Sequence, residues 1–223
     1  ADRRGLLGEP WLADYSDVWW RVTSSPPAAG PLPDVPTFVV FFVASTARAR
    51  ASCAPVVSPG VVVDEGRHRR GHDDRGELLG LLRRSLTHVY PRARMVVLTD
   101  EETRIPSLGS ASEVRRTSLD SGPLMFERLS MYRRYLESAD DKGHVFVDSD
   151  VLIAAPLRIP AEGTFDVALT IRPANRPNNG VIIVAPGGRD RAVALLRRAQ
   201  SAAAQSLPEW KWGGDERAVW EAV

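Results

Sequence analysis

Apolar and polar positions fall along this chain in blocks whose lengths separate strands from helices. TFVVFFVAS (37–45) is continuously apolar over a strand's length, as expected for a strand covered on both faces. ARMVVLTD (93–100), HVFVD (144–148), FDVALTI (165–171) and GVIIVAP (180–186) repeat that signal, and VVVDE (61–65) reads as a shorter strand. Helical periods lie between them. ELLGLLRRSLTHVY (77–90) predicts a helix with Leu78, Leu82, Leu86 and Val89 on one face, stopped by Pro91. SGPLMFERLSMYRRYLESAD (121–140) predicts another, with Ser121 as N-cap, Pro123 in the first turn and Met125, Leu129, Tyr132 and Leu136 facing inward. GGRDRAVALLRRAQSAAAQ (187–205) is a third, and a short last helix begins near Asp215. Strands alternating with helices of this length predict an α/β, Rossmann-like, mostly parallel sheet with helices on both faces. Residues 1–36 have no clear period and are proline-rich, so they read as an arm leading into one domain over 37–223.

The chemistry concentrates where apolar strands end. In VFVDSDVLI (145–153) two carboxylates, Asp148 and Asp150, interrupt a core-like run with only Ser149 between them. If the chain stays extended past Val147, both side chains project to one side. Two like charges that close repel unless a cation intervenes. A hard divalent ion with oxygen ligands meets that need, and Mg²⁺ or Mn²⁺ takes one or two carboxylates plus substrate phosphates. The alternative is a solvated turn that uses acids as turn formers. Ligands of open α/β sheets bind beyond the carboxyl ends of the strands, where Ser45, Thr46, Asp100 and the acid pair all lie.

Together these motifs resemble the GT-A-fold nucleotide-sugar glycosyltransferases, most closely the retaining glycogenin and galactosyltransferase-like group. VFVDSDVLIAAPL is similar to that group's strand, D-x-D and following proline turn; NNGVIIVAP (178–186) to its N-x-G-V element; GGDERAV (213–219) to its G-D-Q element; ERLSMYRRYL (127–136) to the helix before the D-x-D. The resemblance implies a GT-A fold and a hexosyltransferase that moves a sugar from a nucleotide-diphosphate donor, a UDP-sugar favoured, to a hydroxyl acceptor. It implies Mn²⁺ or Mg²⁺ on Asp148 and Asp150, with Arg128 at the donor sugar or phosphate. Ser45, Thr46, Asp100, Ser149, Asn179, Gly180 and Gly214 would border the donor. Asp215, Glu216 and Asn178 would act near the anomeric carbon, and Trp210 and Trp212 are acceptor-stacking candidates. Two departures stand out. Glu216 occupies the glutamine position of G-D-Q, and no histidine follows His144 to act as the group's late metal ligand.

Composition narrows the alternatives. With 29 basic and 28 acidic residues the net charge is +1, which argues against a nucleic-acid surface as the main function. Lys142 and Lys211 are the only lysines, so a phosphate contact here falls to arginine. The single cysteine, Cys53, excludes an intrachain disulfide and a cysteine-held zinc, and reads as a structural residue. His68 and His72 flank glycine-broken sequence and read as part of a solvated or acceptor-facing loop at 67–75. No run reaches the ~20 apolar residues of a membrane span. The expected location is cytoplasmic if the source is bacterial, or the lumen of the secretory pathway if an N-terminal anchor has been removed. Three rival functions share some features. A haloacid-dehalogenase-like phosphatase also uses D-x-D, but on its first strand. A sugar nucleotidyltransferase needs a Gly- and Lys-rich loop, which VASTARAR (43–50) lacks. A non-catalytic module would bind nucleotide without metal.

Overall fold

The structure, a computed structural model, describes residues 30–31, 35–43, 75–119, 124–159, 165–172, 176–206 and 214–222. The strand expected at 61–65, the loop at 67–74, Cys53, the Ser121 cap and the tryptophans at 11, 19, 20, 210 and 212 lie outside these residues. Eight strands are described: β1 (Gly30–Pro31), β2 (Thr37–Phe41), β3 (Met95–Thr99), β4 (Ser112–Arg116), β5 (His144–Val147), β6 (Arg158–Ile159), β7 (Val167–Arg172) and β8 (Arg176–Val184). The helices are α1 (Arg75–Val89), α2 (Leu124–Ser138), α3 (Arg189–Ser206) and α4 (Gly214–Ala222).

Six strands form one sheet in the order β4-β3-β2-β5-β8-β7. The pairs from β4 to β5 are parallel, and β8 then runs antiparallel to both β5 and β7. A second, small sheet pairs β1 with β6. The three central strands β2, β3 and β5 are buried along their whole length, which is why they read as unbroken apolar runs rather than alternating ones.

Alternate strand residues sort into two cores. Phe38, Val40, Phe42, Met95, Val97, Val145 and Val147 face α1, whose Leu79, Leu82 and Leu86 are fully buried. Val39, Phe41, Val96, Leu98, Phe146, Ile182 and Val184 face α2, α3 and α4. The inward stripe of α2 is as expected, Met125, Leu129, Tyr132 and Leu136 all being buried. That of α1 differs at one position: Leu82 and Leu86 are buried and Val89 packs on the core as expected, but Leu78 is 40% exposed and Leu79 takes its place. Two leucines in succession left the phase of the period open.

Two elements have no apolar signature. β4, Ser-Glu-Val-Arg-Arg, is an edge strand with Val114 exposed and charged neighbours. Glu113 bridges Arg94 at 3.0 Å and Arg115 at 2.6 Å, and such charged edges discourage pairing with other chains. β1–β6 is too short for any period to register.

At the far end of β5 from the acid pair, His144 is 1% exposed. Its Nε2 lies 3.0 Å from the Asp140 carbonyl oxygen and its Nδ1 3.2 Å from the Tyr135 hydroxyl. A carbonyl only accepts, so Nε2 carries a proton; the Tyr135 hydroxyl donates to Nδ1 when the ring is neutral, the form that burial favours. Burial pushes its pKa down, against an upward pull from the Asp140 backbone and carboxylate. Burial also pushes Tyr135 up to about 12, keeping that hydroxyl a donor. The unfolded chain takes up this proton near 6.5, the folded chain only at lower pH. His144 thus contributes stability that is fully present above 6.5 and is lost as pH falls below that value. The melting temperature is expected to drop between pH 7.5 and pH 5, with a shallower drop in His144→Gln, as read by circular dichroism. Equal slopes in the two proteins would exclude His144 as a source.

Candidate active site

The acid pair lies at the seam where the parallel half of the sheet meets the antiparallel strand β8. Asp148 follows β5 directly, and its N–H donates to the Gly180 carbonyl at 2.9 Å, extending the β5–β8 ladder by one step. Extended geometry ends there. The Val151 N–H donates to the Asp148 carbonyl at 3.2 Å, closing a turn with Ser149 and Asp150 at its corners. The expectation of a strand continuing past Asp148 is thus corrected: Asp148 opens a turn and Asp150 lies within it, Asp148 half-buried and Asp150 exposed. Beyond the turn, Val151 and Ile153 pack on the α1-side core.

Arg128 reaches this point from α2. It is 8% exposed, and its Nη1 donates to Asp148 Oδ1 at 2.8 Å. An arginine so deep in the protein needs a carboxylate partner, because an unpaired buried cation is costly. The spacing of α2 accounts for its position: Arg128 immediately precedes Leu129 and lies one turn before Tyr132, both fully buried.

The opposing wall comes from β8. A Cβ built on Gly180 would lie 2.9 Å from Asn178 Oδ1 and 3.1 Å from Asp148 Oδ2. Glycine therefore leaves the space that the Asp148 carboxylate occupies. Asn178 Oδ1 accepts the Gly180 N–H at 2.8 Å, which leaves its Nδ2 as the donor available to a ligand. The β7 register jumps here, from Leu169 opposite Ile182 to Thr170 opposite Asn178, so residues 179–181 bulge out of that ladder. The Thr170 hydroxyl spans the gap, 2.6 Å from the Asn178 carbonyl and 3.1 Å from that of Val181. Thr170 was not singled out from the sequence. Nothing local marks it, because its partners lie across an irregular ladder.

Gly180→Ala is expected to push Asp148 or Asn178 aside and to lower stability by about 1–3 kcal/mol, the usual range for overpacking. Urea denaturation checks the magnitude. Retention of the wild-type midpoint, with the Arg128–Asp148 pair intact in a crystal structure, would show that the site has room to spare.

No family model and no curated protein sequence matches the chain. Solved structures do. A galactosyltransferase, LgtC, in complex with donor and acceptor sugar analogues superposes with a TM-score of 0.50 at 11% identity, covering 82% of this chain and 70% of LgtC. An active-site mutant of LgtC gives the same TM-score and identity over 82% of this chain and 69% of its own. The PaToxG glycosyltransferase follows at 0.44 and 10% identity, over 91% of this chain and 71% of its own. The fold is GT-A.

Within the GT-A fold the other candidate residues are distributed unevenly. Asp100, 9% exposed at the end of β3, turns into its own loop: Oδ1 accepts the Thr103 N–H at 2.6 Å. Arg116 Nη1 ties that loop down through the carbonyls of Asp100 at 2.9 Å and Thr103 at 2.9 Å. Gly214, Asp215 and Glu216 open α4, with Glu216 half-buried, and α4 packs on α3, β8 and α2. The helix thus leans on the strand that carries Asn178 and Gly180. Ser45, Thr46, Trp210 and Trp212 lie outside the described residues.

The implied metal was tested against the donor set. Asp148 and Asp150 offer hard carboxylate oxygens beside one turn, suited to Mg²⁺ or Mn²⁺. Among the described residues no group of three or more His, Cys, Asp or Glu converges on one point. Two carboxylates, with phosphate and water in the remaining positions, would suit such an ion. Among the described residues no helix is long and apolar enough to cross a membrane.

Proposed function

We propose that the chain is a metal-dependent glycosyltransferase that moves a sugar from a nucleoside-diphosphate donor, a UDP-sugar favoured, to a hydroxyl acceptor. The observation that carries this reading is the buried arginine locked to Asp148 at the mouth of a GT-A sheet, opposite a glycine that leaves the carboxylate its space. Such an arrangement sets one cation and two carboxylates where a diphosphate would lie.

Asp148 and Asp150 would hold Mn²⁺ or Mg²⁺, which when bound neutralises charge on a departing diphosphate. Arg128 is held by its partner with the guanidinium in place before the donor arrives, so little reorganisation is needed as charge develops. Asn178, with Oδ1 committed to Gly180, presents Nδ2 to a sugar hydroxyl. Breaking the sugar–phosphate bond makes the anomeric carbon cation-like, as in glycoside hydrolysis, and a nearby carboxylate then stabilises it. Asp215 and Glu216 are the candidates, on a helix braced against β8. Trp210 and Trp212 remain acceptor candidates from the sequence.

A thermal-shift panel tests the reading. UDP-, GDP- and ADP-sugars are added with and without MnCl₂. One donor is expected to raise the midpoint in a metal-dependent way, because a ligand that binds only the native state stabilises it, and that donor should then release its nucleoside diphosphate. No shift with any donor, together with phosphatase turnover in Mg²⁺, would overturn it.

A further inference from the structure

Asn179 sits between the two residues that flank Asp148, yet its side chain takes no part in their contacts. It is 1% exposed, and among the described residues neither its Oδ1 nor its Nδ2 has a hydrogen-bond partner. A buried amide with both ends unsatisfied is unfavourable relative to an apolar side chain of similar size, so its presence needs a reason. Its place in the fold supplies one. Asn178 and Gly180 share a face with Asp148, as their close approach shows. Strand alternation turns Asn179 to the other face, that of Val181 and Ile183, which belong to the α1-side core. Val151 and Ile153 pack in the same core. The chain leaving the Asp148–Val151 turn therefore runs over the face to which Asn179 belongs. Asn179 is also part of the 179–181 bulge, the irregular stretch of β8.

We propose that Asn179 is a positioning residue for the acidic turn. Its amide has no partner among the described residues. It bonds to the backbone of residues 149–151 when a divalent cation and a diphosphate draw Asp150 in toward Asp148. The turn is closed by a 3.2 Å bond from the Val151 N–H to the Asp148 carbonyl, and Asp150 within it is exposed and able to move. The unsatisfied amide then raises the energy of the open site and is relieved in the loaded one. This inference rests on the glycosyltransferase reading and adds to it a residue that acts through Asp150 rather than on the substrate.

The two states give opposite signs for one substitution. Asn179→Leu removes an unsatisfied amide from the ligand-free chain and is expected to raise its melting temperature by about 2–6 °C. The same variant is expected to bind Mn²⁺ about 10–100-fold more weakly in the presence of UDP, the usual effect of losing a group that orients a metal ligand. Mn²⁺ binding is read from the free-ion signal in electron paramagnetic resonance, which does not depend on turnover. Asn179→Ala, which cannot clash, should show the same weakened Mn²⁺ binding if Leu proves too large. A lower melting temperature in both variants with Mn²⁺ and UDP affinity unchanged would overturn the proposal and make Asn179 a structural residue. Absence of Mn²⁺ binding in the unmodified protein would instead sink the glycosyltransferase reading on which it rests.

Discussion

Asp148→Asn is expected to lower metal-dependent turnover of the nucleotide-sugar donor by about 10²–10³-fold, the range seen when one preorganised electrostatic contact is removed. The substitution keeps the shape of the side chain. Its amide oxygen still accepts from Arg128 Nη1, and its backbone N–H still donates to Gly180. What is lost is the charge. Arg128 keeps that hydrogen bond but loses its counter-charge; because Asp148 is 36% exposed, water already screens much of the pairing, so the loss of folding stability should be modest. The prediction is thus a separation of effects: a melting temperature within a few degrees of wild type and a large loss in kcat/KM. Steady-state assays of nucleoside diphosphate release, with circular dichroism on the same sample, measure both. A variant that keeps wild-type turnover would remove Asp148 from the mechanism. One that loses its fold would show that the ion pair is structural.

The largest expected stability effect lies two residues earlier on the same face of β5. Phe146 is 1% exposed, and its ring packs at a tilt of 43° against Tyr132, centroids 4.4 Å apart, and meets Tyr135 edge-on at 6.0 Å. Phe146→Ala deletes the ring at the point where α2 grips the sheet. The expected cost is about 3–5 kcal/mol, transfer and cavity together. In a chain of this size that is a fall in melting temperature on the order of 10 °C. Arg128 lies on the same helix as Tyr132 and Tyr135, so a looser α2 should blur the position of its guanidinium as well. Calorimetry tests the stability claim; a shift of only about 2 °C would mean that this aromatic contact does not anchor α2.

Most of the sheet was legible because its centre is dry. β2, β3 and β5 are buried on both faces, and nothing but a continuous apolar run produces that. The polar edge strand β4 gave no such signal, since a strand of Ser, Glu, Val and two Arg reads as loop until its neighbour is known. The motif residues of the site were legible as sequence, but their geometry was not. The separation of Asp148 from Asp150 by one residue suggested a shared face, whereas the hydrogen bond from Val151 makes a turn instead. Arg128 could have been a surface arginine. Its burial follows from the phase of α2 and from a partner twenty positions away, which no local pattern encodes. Thr170 and the bulge it spans depend on a register jump that only pairing reveals.

That jump has a practical consequence. Above the break, Thr170, Ile171 and Arg172 pair with Asn178, Pro177 and Arg176; below it, Val167, Ala168 and Leu169 pair with Val184, Ile183 and Ile182. The two halves of the hairpin keep separate step, so residues spliced in between Arg172 and Arg176 would reset only the upper rungs. The upper rungs could then change length while the pairing beneath stays as it is.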